Sequence, residues 1–297
     1  MRLVRCRGKR KECYDAWVDN KLICLPSLAK QFGKTLPEKL DEFIGIGLRG
    51  IEAAEELLKK ATENDVKRFS SVCREENFLA PISRPPKIIC LGLNYRDHIK
   101  EQNTSTPEEP IIFMKPHTAI IGPEENILKP SFVKQLDYEA ELAIVIGRKA
   151  KNVSVSEAKD CIFGYTILND VSARDFQFKD KQWVRGKSFD TFAPTGPCIT
   201  TTTQLKNTTN LYIRTWVNDE LRQNSSTANM VFNVYEIIHH ISRVMTLEPC
   251  DIIATGTPKG VGFALKPRPK FLKQGDVVRI EIEGVGVLEN MVIEANF

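Results

Sequence analysis

The stretch Leu136–Gly147 reads LDYEAELAIVIG. Its second half is a β-strand by composition. Side chains alternate between the two faces of a strand, so Glu139 and Glu141 enter it on the same face. At about 6–7 Å and an effective dielectric of about 20, two such carboxylates repel by roughly 2–3 kcal/mol, and desolvation adds to that. Either the face is solvated, or a cation lies close by.

Working outward, further strand candidates follow one another from residue 87: KIICLGLNY, PIIFMK, FGYTILND, NLYIRTWV, DIIATGT and DVVRIEIE. Only two clear helices interrupt them, at about 155–161 and around VYEIIHHISRVM. Strands that do not alternate with helices argue against a Rossmann or barrel architecture and for a folded-over mixed sheet, an α+β, β-rich class. On the N-terminal side, APISRPPK (80–87) carries three prolines in eight residues and marks a boundary. We expect a small N-terminal α/β domain over 1–80 and a larger catalytic domain over 81–297. Within the first, residues 1–35 suggest a β-hairpin turning at Asp19-Asn20. Residues 37–62 have helical spacing, with Leu40, Phe43, Leu48, Ile51 and Leu57 on the apolar side.

The chain has 297 residues, 42% of them hydrophobic, and 42 basic against 38 acidic side chains. The resulting +4 is spread out, apart from Arg5, Arg7, Lys9, Arg10 and Lys11, which read as a solvated hairpin. One short basic run does not make a nucleic-acid surface. The eight cysteines form no C-x-x-C pair and have no His at zinc-finger spacing, so free thiols in a reducing compartment are expected. No apolar run approaches the roughly 20 residues that span a bilayer. The expected location is cytoplasmic, or the mitochondrial matrix if a transit peptide has been removed.

Asp170 ends the apolar run of GYTILND. Facing the Glu pair, it completes three carboxylates for Mg²⁺, Mn²⁺ or Ca²⁺; alone, Asn169-Asp170 is equally good turn chemistry. His98, in NYRDHIKEQN, has Glu101 three residues later on the same face of a short helix, the arrangement of a general base with an orienting carboxylate, or of an ordinary surface pair. His239 and His240 lie in an apolar helix as packing residues, and His117 is ambiguous. Lys187 in RGKSFDTF, and Arg174 with Gln177 in SARDFQ, are candidates to meet developing negative charge or to form salt bridges. The glycine-rich ATGTPKGVG (254–262) matches no phosphate-loop pattern. It suits a tight loop presenting backbone N–H groups and Thr257 to a small anion. The polar run after His98 suggests a mobile lid from about Arg96 to Glu109.

In the order GLNYRDHIKE, PIIFMKP, LDYEAELAIVIG, NDVSARDFQ, GKSFDTFAPTGP and TGTPKGVG, these segments resemble the fumarylacetoacetate hydrolase family, over Lys87 to about Val292. The resemblance implies a mixed β-sandwich roll, a homodimer, and a divalent cation, usually Mg²⁺, on Glu139, Glu141 and Asp170. It makes His98 and Glu101 a catalytic dyad on a lid helix, with Lys187, Arg174 and Gln177 contacting substrate and Thr257 binding its carboxylate. It further implies an enzyme of small 2-oxo acids, acylpyruvates or oxaloacetate, working through a metal-stabilised enolate by C–C hydrolysis or keto–enol tautomerisation. Decarboxylation, isomerisation of hydroxy-dienoic diacids, sugar-acid dehydration and a non-catalytic binding role stay open as alternatives.

Overall fold

The computed structural model describes residues 1–7, 14–70, 77–179 and 181–295. The strand Ala140–Ile146 lies inside the larger sheet, antiparallel to Ile162–Asn169 on one side and Ile252–Ala254 on the other. All seven of its residues are buried. The two-residue period explains why the run is apolar throughout. Leu142, Ile144 and Ile146 enter the core shared with a second sheet, whereas Ala143 and Val145 enter one beneath the N-terminal helices.

Among the described residues the larger sheet runs from Lys21–Cys24 through Tyr14–Val18, Arg2–Cys6, Ala193–Thr201, Ile162–Asn169, Ala140–Ile146, Ile252–Ala254 and Ile88–Gly92 to the edge strand Ile111–Lys115. Ile252–Ala254 and Ile88–Gly92 are parallel, which makes the sheet mixed. The smaller sheet orders Glu220–Ser226, Tyr212–Val217, Val277–Ile282, Gly286–Ala295 and Ile127–Pro130. Packed face to face over one core, the two sheets form the β-rich α+β roll expected from the strand pattern. Ala193–Thr201 reads APTGPCITT and carries breakers, so sequence reasoning passed over it, yet all nine residues are buried.

The N-terminal hairpin turns at Asp19 and Asn20, whose φ values of 46° and 60° suit a two-residue turn that follows strand twist. The helical stretch over 37–62 divides into Leu40–Ile44 and Leu48–Lys60. Gly47 separates them at φ 69°, and Leu48, expected on the apolar side, is 51% exposed. Leu3 pairs with Ile199, and Phe43 and Ile51 share a core with Ile88 and Val145. The described residues before position 80 thus extend the same sheet and cover one of its faces.

Residues 8–13, which include Lys9, Arg10 and Lys11 of the basic run and Cys13, lie outside the described residues, as does Cys73. Cys24, Cys90, Cys161, Cys198 and Cys250 are free and buried. Cys6 is disulfide-bonded, which departs from the expectation of free thiols throughout. No helix among the described residues is long and apolar enough to cross a membrane.

Two short helices, Arg174–Gln177 and Val184–Lys187, pack at the carboxylate end of the sheet. Gly186 is their point of contact. A Cβ there would lie 2.6 Å from the Gln177 amide nitrogen and 2.8 Å from the Ala173 carbonyl oxygen, both backbone atoms that cannot rotate aside. Gly186→Ala should therefore force the helices apart at a cost of about 1–3 kcal/mol, read as a lowered denaturation midpoint. Full parental stability in that variant would contradict this packing.

A buried acid cluster with a histidine at its mouth

Strand pairing brings the acids together. Ala140 faces Asn169 in the ladder, the Glu139 amide donates to Asn169 Oδ1 at 3.0 Å, and the Asp170 amide donates to the Glu139 carbonyl at 2.9 Å. Glu139, Glu141 and Asp170 are all buried, and each offers a carboxylate oxygen within 4.8 Å of the other two.

Cations resolve the repulsion anticipated from the sequence. Lys187 Nζ lies 2.8 Å from both Glu139 Oε2 and Asp170 Oδ2. Arg174 Nη1 lies 2.6 Å from Glu139 Oε1, and Lys115 Nζ lies 2.5 Å from Asp170 Oδ1. Burial disfavours a charged Glu139, but Lys187 and then Arg174 overcome it and hold the carboxyl at about 2. Among the described residues no ammonium or guanidinium forms an ion pair with Glu141. Burial, followed by Asp170 and Glu139, pushes its carboxyl well above the usual range. Burial also pulls the Lys115 ammonium down, against Asp170.

One oxygen of Glu141, Oε2, accepts from the Gly256 amide at 2.6 Å, while Oε1 is buried without a hydrogen-bond partner. An orphaned carboxylate oxygen among three converging acids fits a hard divalent cation, which takes oxygen ligands. Gly256 makes that contact from φ 91°, and a Cβ there would stand 2.9 Å from Asn94 Cβ.

The pairing of Ser172–Ala173 with Leu136–Asp137 sets Arg174 beside Asp137, whose Oδ2 accepts from Nε at 2.9 Å. Gln177 Oε1 accepts from Arg174 Nη1 at 2.8 Å, and Phe263 lies beneath the guanidinium at 4.4 Å. Arg174 Nη2 remains buried and without a hydrogen-bond partner.

His98 Nδ1 lies 3.1 Å from Glu101 Oε2, as the i,i+3 spacing predicts. Glu101 in turn accepts from the Gly260 amide at 3.0 Å. Gln102, the next residue, places its amide nitrogen 2.5 Å from His98 Nε2. The helix Arg96–Glu101 is tied down elsewhere: Arg96 donates to the Met230 carbonyl at 2.5 Å, and Ser225 to Asp97 at 2.6 Å. The run after Gln102, expected to belong to the same lid, is largely exposed.

His98, Glu139, Arg174, Gln177, Lys187 and Thr257 line one cavity of about 70 Å³. Glu101 stands behind His98; Glu141 and Asp170 lie beneath Glu139. All nine residues singled out from the sequence therefore converge on one site. Thr257 Oγ1 accepts from Gln223 at 2.9 Å. His117 contacts Arg84, His239 contacts the Val153 carbonyl, and His240 packs on Phe232, all away from the cavity. Sequence reasoning missed Lys115, Asp137, Gln102 and the aromatic wall of Phe113, Trp183 and Phe263. Lys115 closes PIIFMK and Asp137 sits within LDYEAE, where neither residue type is distinctive.

Residues 87–293 match the family described as fumarylacetoacetate (FAA) hydrolase C-terminal. A mitochondrial oxaloacetate tautomerase of Bos taurus is 46% identical over 264 residues, covering 88% of this chain and 82% of its own. Among solved structures, a fumarylacetoacetate hydrolase of Exiguobacterium antarcticum superposes with a TM-score of 0.83 at 35% identity, over 99% of this chain and all of that one. A maleylpyruvate hydrolase of Sphingobium sp. SYK-6, solved with manganese(II) and pyruvate, gives 0.78 at 28% identity over the whole of both chains. With its buried acid triad, its His98–Glu101 pair and a family match spanning most of its length, the chain belongs to the fumarylacetoacetate hydrolase family.

Proposed function

We propose that this chain is a divalent-cation-dependent enzyme that interconverts the keto and enol forms of a small 2-oxo diacid of the oxaloacetate type. The observation that carries the reading is that His98 and Glu139 line the same small cavity, while Glu141, grouped with Glu139 and Asp170 within 4.8 Å, keeps a buried oxygen without a hydrogen-bond partner. The bovine relative named for this activity supports it.

Glu139, Glu141 and Asp170 would hold the cation, Mg²⁺ by preference and Mn²⁺ as the alternative that the Sphingobium complex contains. Bound there, the cation supplies a Lewis acid that stabilises the enolate shared by the two tautomers. The chain's own groups do the rest. His98 Nε2 takes the proton from the carbon beside the keto group while Glu101 keeps the other ring proton on Nδ1. Arg174 Nη2 is a spare buried donor for a substrate carboxylate, oriented by Asp137 and Gln177. Lys187, over the Phe113 ring at 5.2 Å, is a fixed positive charge where negative charge develops.

Hydrolysis of acylpyruvates is the second reading, favoured by the end-to-end match to a maleylpyruvate hydrolase. It differs in requiring a water for His98 to activate. Purified protein with Mg²⁺, given oxaloacetate with each tautomer followed separately and then a panel of acylpyruvates, separates the two. A homodimer completes the proposal, together with a mitochondrial address such as the bovine relative's name carries.

Glu141→Gln should abolish stabilisation by Mg²⁺ or Mn²⁺ in thermal unfolding, because it removes the oxygen with no other partner; undiminished cation affinity would refute the ligand set. His98→Ala should lose about 10²–10⁴ in kcat while still binding the cation, and Glu101→Gln should lose part of that non-additively. Parental turnover by His98→Ala would sink the base assignment. Oxalate with Mg²⁺ should slow hydrogen exchange over residues 103–110 and leave the fastened helix little changed, whereas equal protection of both segments would argue against the anchors.

A further inference from the structure

We propose that Gln102 is a positioning residue: its side-chain amide caps Nε2 of His98 in the resting site, holds the ring with its proton on Nδ1, and turns away to release that nitrogen when substrate enters. This rests on the reading of His98 as the base.

With the amide nitrogen of Gln102 turned toward the ring, the contacts on its two edges favour one tautomer. An amide nitrogen donates and does not accept, so Gln102 Nε2 at 2.5 Å from His98 Nε2 requires a lone pair on the imidazole nitrogen. On the opposite edge, the Glu101 carboxylate 3.1 Å from Nδ1 accepts, and so requires a proton there. Both neighbours demand the same form of the ring, the one in which the nitrogen facing the cavity is basic. Glu101 is itself held by the Gly260 amide and cannot follow the ring if it rotates.

A cap on the reactive nitrogen must also come off. The helix cannot supply that movement, because Arg96, Asp97 and Glu101 bind it to Met230, Ser225 and Gly260. Gln102 lies just past the last helical residue, half-buried, and Asn103 after it adopts φ 51°, which ends the helix. Its side chain can therefore turn while the backbone stays in place. Once His98 has taken a proton from substrate carbon, a half-turn of the amide presents Oε1 in place of the NH₂ group, and the new Nε2–H donates to it. The same side chain then holds either protonation state of the ring: the lone pair through its nitrogen, the proton through its oxygen. The proton passes from carbon to Nε2 and returns to the substrate, with no other reactant consumed.

Two near-isosteric substitutions separate this role from simple packing. Gln102→Glu replaces the donor with a group that only accepts, and so draws a proton onto Nε2. Gln102→Met keeps the length and offers no strong hydrogen bond, leaving Glu101 to set the tautomer. With oxaloacetate and Mg²⁺, Gln102→Glu should lose about 10²-fold or more in kcat, as expected when a general base is blocked, and Gln102→Met about 10-fold or less. Imidazole ¹⁵N spectra, with His98 assigned against His98→Ala, should show Nε2 unprotonated in the parent and in Gln102→Met and protonated in Gln102→Glu. An unprotonated Nε2 and parental turnover in Gln102→Glu would overturn the proposal. So would equal losses in the two variants, since the loss would then follow packing. If His98→Ala kept parental turnover, the reading of the base would fail, whereas the ¹⁵N comparison, which needs no substrate, would still decide whether Gln102 caps the ring.

Discussion

The ammonium of Lys187, 2.8 Å from carboxylate oxygens of both Glu139 and Asp170, is the interaction on which the rest of the site depends. Three carboxylates brought inside a fold would each lose several kcal/mol of hydration, and truncating one partner of such a pair commonly costs about 3–5 kcal/mol. Lys187 has to arrive fully buried and in a fixed place. The short helix Val184–Lys187 delivers it by lying against Arg174–Gln177 closely enough that only glycine fits at position 186. Arg174 reaches Glu139 from the neighbouring helix, and Lys115 reaches Asp170 from the edge strand. Cations thus approach the acids from three separate elements, and the sheet beneath them is continuous. This arrangement leaves Glu141 as the acid without a cation of its own, and its free oxygen is where an added cation would lower the energy most.

Much of this geometry is legible in the sequence because it follows from periods. The two-residue alternation of a strand puts Glu139 and Glu141 together, and the 3.6-residue turn of a helix puts Glu101 behind His98. Asp170 was readable as the polar end of an apolar run. Lys115 was not, since a lysine ending an edge strand is ordinary and only the tertiary fold turns it inward. Asp137 escaped notice for the same reason: its partners, Arg174 and the amides of Gly262 and Phe263, lie far along the chain. Among strands, Ala193–Thr201 was hidden by local turn chemistry that burial on both faces overrides. The opposite misreading affected 37–62, where apolar spacing looks continuous but a glycine in the left-handed region divides it.

The loop over 254–262 illustrates how backbone groups do work that the side chains do not disclose. Its glycines suggested anion binding, and in this structure the amides of Gly256 and Gly260 are spent on Glu141 and Glu101. One loop therefore constrains both a carboxylate of the acid cluster and the carboxylate that orients the histidine. A shift of this loop would disturb both together. Gln223 reinforces it, donating to Thr257 Oγ1 and to the Pro258 carbonyl while its own oxygen accepts from the Ala140 amide and from Thr215.

That coupling bears on how the site can be rigid and still open. Preorganised charges are effective only if they do not reorient during reaction, which favours the fastened helix and the doubly used loop. A histidine acting as the proposed base must nonetheless exchange its partner when substrate arrives. The molecule separates the two requirements at the boundary between Glu101 and Gln102. Arg96, Asp97 and Glu101 each tie the helix to another element, whereas the side chain of Gln102, one residue later, meets the His98 ring. In the proposed cycle the histidine is released by one side chain at a helix end, whose rotation breaks a single hydrogen bond and does not require the fastened helix to move.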